Sequence, residues 1–405
     1  MSIEIRTATA EEFPEVIRPI MHYFGRAPSK EFAARFGPLI PPDRIHGAWE
    51  NGRVVGSGGV FPFETGVPGG LIRAAGVTLV GVLPTHRRRG IFGDLMRTQL
   101  KDVRERGEPM AYLWASEDTL YGRFGYGIAS FSGGIDLPRE RIAYAEQLEP
   151  AGEVRLVEPD EAVEPFSEIQ RAAAAQHPGM FVRTKEWWTV RRLADPEWVR
   201  AAEGGSEQVR ALLELDGRPA AYALYRLNFS ADRGIPAGFT NVIEAVGVSP
   251  EATRGIWRYL LDIDWMARVK ANLLPQDHEL FLLLREPRML RFELREGLWV
   301  RLVDVEAALA ARSYKPGEPV VIEVRDDLFA ENSGRYRVGP GGAERTDAAA
   351  ELSLPIQSLS SVYLGGFTFG ELARAGRVEE LADGALDRAD ALFRADRYPW
   401  CPEIF

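Results

Sequence analysis

Apolar and polar residues alternate over short stretches in the amino-terminal part of the chain. Residues 3–24 predict a short strand and then a helix, because the alternation gives way to apolar positions at helical spacing. Residues 44–67 predict two strands that meet at Asn51 and Gly52, a dipeptide typical of two-residue hairpins. Residues 73–84 predict a further strand, so this region indicates a sheet with a helix beside it.

The following stretch changes to a helical period. Apolar side chains from Ile91 to Val103 fall on one face of a helix, and Gly107 is placed to end it. Residues 110–116 follow as a buried strand. The order of strand, helix, hairpin, strand, turn, helix and strand predicts a mixed α/β domain over residues 1–145.

A second region repeats the mixture of helices and strands. Residues 167–195 predict helices, and residues 208–227 predict a hairpin around Asp216 and Gly217. The leucine-rich run at residues 279–286 predicts a buried strand. These elements predict a second domain over residues 146–290.

Two segments of these domains resemble each other. The sequence VGVLPTHRRRGIF begins at Val80, and VGVSPEATRGIW begins at Val246. Both contain a strand, a proline, a short turn, the order Arg-Gly-Ile-aromatic and an apolar helix. The second turn is one residue shorter and keeps only Arg254 of the three arginines. The pair predicts a duplicated domain whose second copy has lost its charge.

The remaining residues, 291–405, predict an α+β domain without evident chemistry. Residues 320–327, 334–339 and 350–355 predict strands, and residues 384–395 predict a helix. His, Asp, Glu and Cys do not cluster at metal-ligand spacing, so we expect no metal site.

Composition and charge narrow the classes of partner. The 405 residues include 45% hydrophobic residues, nine Trp and twenty Phe, which is typical of a folded protein with large cores. A net charge of -10 disfavours nucleic acid and anionic membranes and favours a cationic substrate. Cys401 is the only cysteine, and the first residues lack the pattern of a signal peptide. We therefore expect a cytoplasmic protein.

The arginine run at residues 87–89 predicts a phosphate site. It lies where a strand ends at Pro84 and a helix begins, and a helix amino terminus attracts anions. Gly90 permits a tight turn and close approach of a ligand to the backbone. The turn lacks the residues of a Walker loop or of a dinucleotide fingerprint. The alternative interpretation is a solvated turn, but three adjacent cations at a helix start are electrostatically unfavourable without an anion.

The segment GVTLVGVLPTHRRRGIFGDLM resembles the acetyl-coenzyme A loop of the GNAT superfamily of N-acetyltransferases. PTHRRRG together with ASEDTLYGRFGYG is similar to the Eis (enhanced intracellular survival) family in particular. LSSVYLGGFTFGELARAGRV resembles a sterol-carrier-like domain. The resemblance covers the whole chain and implies an α+β protein of two tandem GNAT-like domains, the second degenerate, followed by a sterol-carrier-protein-like domain over residues 291–405. One departure is Phe92, where the superfamily has Gly or Ala.

The resemblance also implies roles for individual residues. Tyr126 would protonate the departing thiolate, and the terminal carboxylate of Phe405 would be the base, with that chain end reaching the active site. Either residue could instead be structural, Tyr126 as a strand aromatic and Phe405 as part of a frayed end. The residues implied for acetyl-CoA are Val80, Gly81, Val82, Arg88, Arg89, Gly90, Ile91, Phe92, Gly93, Tyr121 and Gly122.

The expected activity is direct transfer of acetyl from acetyl-CoA to primary amines of a polycationic small molecule such as an aminoglycoside. The resemblance further implies a homohexamer. One alternative acceptor is a protein lysine. Another possibility is a non-enzymatic module that binds an apolar ligand in its carboxy-terminal domain.

Overall fold

The computed structural model describes residues 3–27, 30–203 and 205–405. It divides into two compact units. The first contains the chain up to Ser130 together with Gly297–Arg397 and Ile404–Phe405. The second contains Phe131–Glu296 and Tyr398–Glu403. Each unit is therefore built from segments that are distant in the sequence.

The described residues form 21 β-strands. They are β1 (Glu4–Thr7), β2 (Ile45–Glu50), β3 (Arg53–Val67), β4 (Gly70–Val82), β5 (Met110–Trp114), β6 (Gly127–Ile128), β7 (Phe131–Pro138), β8 (Glu153–Leu156), β9 (Val209–Leu215), β10 (Arg218–Asn228), β11 (Ala231–Asp232), β12 (Ile235–Pro236), β13 (Phe239–Gly247), β14 (Arg268–Leu274), β15 (Glu293–Glu296), β16 (Leu298–Leu302), β17 (Val320–Arg325), β18 (Gly334–Gly339), β19 (Gly342–Arg345), β20 (Leu352–Pro355) and β21 (Glu379–Glu380).

The described residues also form 13 α-helices. They are α1 (Phe13–Val16), α2 (Arg18–Tyr23), α3 (Lys30–Phe36), α4 (Ile91–Glu105), α5 (Asp118–Tyr121), α6 (Pro159–Ala174), α7 (Glu197–Glu203), α8 (Pro250–Leu261), α9 (Leu280–Leu283), α10 (Val305–Ala311), α11 (Ile356–Val362), α12 (Phe369–Arg374) and α13 (Ala385–Phe393).

The first unit contains a seven-stranded sheet in the order β1-β2-β3-β4-β5-β16-β6. Strands β1 to β4 are antiparallel, and β4 pairs in parallel with β5. Helix α4 packs on β3 and β4 through buried Leu95, Met96 and Leu100. The amphipathic pattern of this helix therefore predicted both its extent and its buried face.

The same unit contains a five-stranded sheet in the order β19-β18-β17-β20-β21. Helix α11 contacts β17 and β20, and α13 contacts β17. The strands predicted at residues 320–327, 334–339 and 350–355 and the helix predicted at residues 384–395 are confirmed.

The second unit contains a seven-stranded sheet in the order β15-β7-β14-β13-β10-β9-β8, with helices α6 and α8 packed on it. The prediction of a buried strand at residues 279–286 is wrong. This run forms α9, and Leu282 is 85% exposed. Strand β14 instead follows α8 and pairs in parallel with β13. A short apolar run fits a strand or a helix equally well, and periodicity alone cannot separate them.

Both predicted hairpins are confirmed. Asn51 and Gly52 have φ angles of 50° and 74°, and Asp216 and Gly217 have φ angles of 50° and 71°. Two successive left-handed residues define the type I′ turn, whose twist matches the flanking strands.

The chain passes from the first unit to the second after Ser130 and returns to the first at Gly297. The domain boundaries expected at residues 145 and 290 stay predictions. Strand β7 pairs with β14 and β15 in the second sheet, and β16 lies between β5 and β6 in the first. Partners so distant in the sequence leave no trace in the local hydrophobic pattern.

Candidate active site

Strands β4 and β5 lie side by side for three residue pairs and then separate. Residues 74–76 pair with residues 110–112, and no later residue of β4 pairs with β5 in the part of the chain that the structure describes. Leu79 has a left-handed φ of 55°, and an irregularity interrupts the pairing of β3 with β4 at this level. The backbone of Val80, Gly81 and Val82 consequently has no partner on β5. A strand must have such unpaired backbone groups in order to bind an extended ligand along its edge.

The turn after β4 leaves the start of α4 open. Arg88 and Gly90 have left-handed φ angles of 60° and 83°, so the helix begins only at Ile91. No side chain caps this amino terminus. The first N–H groups of an α-helix have no intrahelical acceptor, and the helix dipole is positive there. The start of α4 can therefore receive an anion.

The three arginines of the turn are exposed but have different neighbours. Arg87 Nε donates to the Tyr23 hydroxyl at 2.5 Å. Arg89 Nη2 donates to Glu50 Oε1 at 2.5 Å. Arg88 has no hydrogen bond or ion pair with the residues that the structure describes. Of the two arginines predicted to bind phosphate, one is thus unpaired and the other is held by a carboxylate.

Glu50 connects this turn to the end of β2. Hydrogen bonds from Arg89 and His86 lower the pKa of its carboxyl group to about 2, so the group is ionised at neutral pH. The Arg89 side chain is 39% exposed, so water screens this ion pair and weakens it. A pyrophosphate could therefore displace Glu50 from Arg89, and the cationic residues of this turn fit such a group.

Predicted cofactor and catalytic residues meet in one aromatic cluster beside α4. The ring centroids of Phe92 and Tyr121 are 5.9 Å apart, and those of Tyr121 and Tyr126 are also 5.9 Å apart. Val80 packs against the same cluster. The fold thus brings together residues from the separated strand, the helix start and the loop before β6.

Tyr126 is the most enclosed member of this cluster. Its side chain is 1% exposed, and its hydroxyl has no hydrogen-bond partner among the described residues. Burial raises its pKa above the ordinary value, and burial likewise raises the pKa of Tyr121. The Tyr126 hydroxyl therefore holds its proton at neutral pH, and its hydrogen-bonding capacity is unused among the described residues.

Other predicted cofactor residues have mainly packing contacts. A Cβ atom built on Gly81 would lie 3.0 Å from the backbone of Ile20, so α2 approaches β4 closely only because residue 81 is glycine. Ile91 is buried, and a Cβ on Gly93 would lie 3.2 Å from Arg97 Nη2. These residues shape the helix start rather than offering polar side chains.

The chain end packs where β4 and β5 part. Phe405 is 8% exposed, and its ring centroid lies 5.1 Å from that of Phe63 and 4.9 Å from that of Tyr112. A Cβ on Gly76, the last β4 residue that pairs with β5, would lie 3.3 Å from the Phe405 ring. The last residue is accordingly docked rather than frayed.

Three residues beside the site were missed by the sequence reasoning. No local pattern in the sequence pointed to Glu50 or Tyr112, since the contacts of Glu50 with Arg89 and of Tyr112 with Phe405 join segments that are distant in the sequence. Arg301 did give one: it stands in the apolar strand Leu298–Leu302, all of whose residues are buried. A charged residue in such a strand requires a partner.

Metal and thiol chemistry receive no support from the described residues. They contain no group of three His, Cys, Asp or Glu side chains able to hold a metal ion. Burial raises the pKa of the Cys401 thiol to about 12, so it is a poor nucleophile. None of the described helices has the length and apolar character of a membrane span.

The separated strands, the open helix start and the sheet order define an acyltransferase of the GNAT class. Two family matches agree with this geometry: the acetyltransferase (GNAT) domain family matches residues 4–129, and a second acetyltransferase (GNAT) domain family matches residues 179–302. The sterol carrier protein domain family matches residues 305–402.

Similarity to individual proteins identifies the family within this class. The chain is 34% identical to the N-acetyltransferase Eis of Mycobacterium tuberculosis over 98% of both chains. It is 36% identical over the full length of both chains to an uncharacterized N-acetyltransferase of Streptomyces coelicolor. The crystal structure of Eis1 from Mycobacterium abscessus matches with a TM-score of 0.87 and 33% identity, covering 100% of both chains. The protein therefore belongs to the Eis family of N-acetyltransferases, and its co-substrate is an acyl-CoA.

Proposed function

We propose that this protein transfers acetyl from acetyl-CoA directly to primary amines of a polycationic small molecule of the aminoglycoside type. The observation that carries the proposal is the path from the separated strand β4 to the uncapped start of α4, with unpaired Arg88 beside it. This path can accept an extended thiol arm that ends in a pyrophosphate. The excess of acidic side chains supports a cationic acceptor.

In this proposal the backbone of Val80–Val82 lines the pantetheine arm. Arg88, Arg89 and the N–H groups that follow Gly90 receive the pyrophosphate. Tyr121 and Gly122 complete the donor side. Charge-assisted hydrogen bonds from guanidinium groups and a helix amino terminus suit a phosphate dianion in both charge and geometry.

The proposed chemistry uses one acid and one base. An aliphatic ammonium with a pKa of about 10.4 must lose a proton before it can attack the thioester. The terminal carboxylate of Phe405 takes this proton through a water molecule, since a chain-end carboxyl group with a pKa of about 3.3–3.7 is a weak base. Tyr126 donates its hydroxyl proton to the sulfur as the carbon–sulfur bond breaks, and the nitrogen releases its second proton to solvent as the amide forms.

The acceptor is the least constrained part of the proposal. An acceptor screen with acetyl-CoA, comparing aminoglycosides with lysine peptides and reading the mass added per acetyl group, tests it directly. We expect acetylated aminoglycosides with the wild-type protein and much less product with Tyr126→Phe. Acetylation of lysine peptides alone would favour the protein-lysine alternative.

We further propose a homohexamer, an assembly that rests on family membership. Light scattering of the full-length chain should give six times the monomer mass. A monomer at working concentration would contradict this assembly without affecting the proposed reaction.

A further inference from the structure

A buried arginine lies beside the loop that carries Tyr126. Arg301 is 0% exposed, and its Nη2 donates to Asp326 Oδ2 at 2.6 Å. Its Nε and Nη1 have no hydrogen-bond partner among the described residues. Leaving two guanidinium donors unsatisfied in the interior is costly, so their surroundings should contain a group that gains from the charge.

The unsatisfied edge of Arg301 faces the residue before Tyr126. A Cβ atom built on Gly125 would lie 2.6 Å from Nη1, 2.7 Å from Cζ and 2.8 Å from Nε of Arg301. Gly125 also has a left-handed φ of 88°, so both its conformation and this contact require glycine. The buried Tyr126 hydroxyl likewise has no partner among the described residues. Arg301 thus contacts the residue next to Tyr126, and both side chains are buried with unsatisfied polar atoms.

The loop is fixed from a second direction by α11. Gln357 Nε2 donates to the Gly122 carbonyl at 3.0 Å, and Ser360 Oγ donates to the Gly125 carbonyl at 3.4 Å. A Cβ on Gly127 would lie 2.2 Å from the Gln357 carbonyl oxygen. The sterol-carrier-like part of the chain therefore holds the loop in place, and Tyr126 cannot shift freely to another partner.

Donation from Tyr126 poses an electrostatic problem. Burial raises its pKa, Tyr121 raises it further, and Arg301 lowers it. The charge of Arg301 interacts electrostatically with Asp326, Tyr126 and Arg104. A thiol such as cysteine has a pKa of about 8.5. Proton transfer from a buried phenol of higher pKa to a thiolate is therefore unfavourable in free energy unless the phenolate is stabilised.

We propose that Arg301 is a positioning residue that offsets the negative charge formed on the Tyr126 oxygen during turnover. The inference rests on the proposed role of Tyr126. When the carbon–sulfur bond breaks, the sulfur keeps the bonding electron pair and takes the Tyr126 proton. The phenolate oxygen keeps the O–H electron pair, the charge of the buried guanidinium stabilises it, and a proton from solvent later restores the hydroxyl.

The charge coupling can be measured without turnover. Full-length protein carrying 3,5-difluorotyrosine at position 126 is titrated by ¹⁹F NMR, alone and with Arg301→Gln. Because an opposite charge at close range lowers a pKa by about 1–3 units, we expect Arg301→Gln to raise the fluorotyrosine pKa by at least one unit. An unchanged pKa would overturn the inference.

A matched control is Arg312→Gln. Arg312 is also buried in the first unit, but it donates to the Phe393 carbonyl and lies over the rings of Tyr314, Tyr363 and Phe393. This control should leave the titration unchanged. Should Arg301→Gln fold poorly, it is combined with Asp326→Asn and compared with Asp326→Asn alone, so that only the Arg301 charge differs, and the same upward shift is expected. No shift between these two variants would overturn the inference.

Kinetics separate positioning from general packing. Arg301→Gln should lower kcat by about tenfold or more with little change in KM, and Arg301→Lys should restore part of the loss. In a Tyr126→Phe background, Arg301→Gln should have no further effect. Equal losses in both backgrounds would show that Arg301 acts through packing. An undiminished kcat in Tyr126→Phe would instead contradict the proposed function, whatever the titration shows.

Discussion

The two copies of the strand, turn and helix differ at the point where the helix begins. In the first copy Arg88 and Gly90 have positive φ angles, α4 starts at Ile91, and no side chain caps it. In the second copy α8 starts at Pro250, and Ser249 Oγ accepts a hydrogen bond from the Ala252 N–H at 3.2 Å. In the second copy the residues of the turn belong to the helix, and a side chain satisfies one N–H group at the helix start. In the first copy no described side chain does so, and the N–H groups can receive a ligand.

The separation of the strands persists in both copies. Strand β13 pairs with β14 only as far as Val242, so the second sheet also parts. There Glu244 is buried on β13 and accepts hydrogen bonds from Arg183, Arg192 and Tyr222. An internal charge cluster thus lies in the second copy, and we expect that a GNAT sheet alone does not make a coenzyme site. We expect that an open helix start with the arginine turn before it is also needed.

The largest effect is expected from the arginines of the first turn. Arg88→Ala with Arg89→Ala should weaken acetyl-CoA binding by a few kcal/mol, because charge-assisted hydrogen bonds contribute roughly 1.5–3 kcal/mol each. Titration calorimetry measures this loss. Arg254→Ala, the corresponding change in the second copy, is the matched control and should leave the affinity unchanged. Equal losses in both would contradict the distinction between the copies.

The chain end should matter nearly as much. Deleting Phe405, or extending the chain by several residues, should lower kcat by about 100-fold or more, the usual scale for losing a general base. The extension retains the buried ring and moves only the carboxylate, so it separates chemistry from packing. Ile404→Ala, a change of an exposed neighbour, serves as control. A normal rate in the extended chain would mean that another group is the base.

The stability of the second copy should depend on pH through one buried histidine. His278 packs edge-on against Trp257, with ring centroids 4.8 Å apart, and burial lowers its pKa to about 3. Since an unfolded histidine has a pKa of about 6.5, this contribution to stability is complete above pH 6.5 and falls as the pH drops towards 3.

The expected loss from this histidine at pH 4.5 is about 2–3 kcal/mol. Urea unfolding monitored by tryptophan fluorescence at pH 7 and pH 4.5 should show it, and His278→Gln should reduce the difference between the two values. His22→Gln, at an exposed histidine, is the control. The same pH difference in wild type and His278→Gln would remove this explanation.

The smallest effect concerns the cap of α8. Ser249→Ala should destabilise the second unit by about 1 kcal/mol, the usual contribution of an N-cap. Thr85→Ala in the first turn, where the hydroxyl bonds among the described residues only to the partly buried His86 ring, should cost less. Thermal unfolding compares the two variants. Equal costs would indicate that the cap does not distinguish the copies.

Local patterns predicted much of this molecule. The Asn51-Gly52 hairpin, the apolar face of α4 and the arginine turn all depend on neighbouring residues, so the sequence was sufficient for them. Contacts between segments that are distant in the sequence could not be predicted from local patterns. Insertion of β16 into the first sheet and the contact of Glu50 with Arg89 join segments that no local pattern connects. Arg301 was the exception, because a charge within an apolar strand could have been noticed.

The stoichiometry of acetyl-CoA binding, measured by calorimetry on the full-length wild-type protein, tests the difference between the two copies. We expect one acetyl-CoA per chain, with affinity reduced in the Arg88→Ala, Arg89→Ala variant and retained in Arg254→Ala. Two acetyl-CoA molecules per chain, or a single site that depends on Arg254, would show that the open helix start and the arginine turn do not distinguish the first copy.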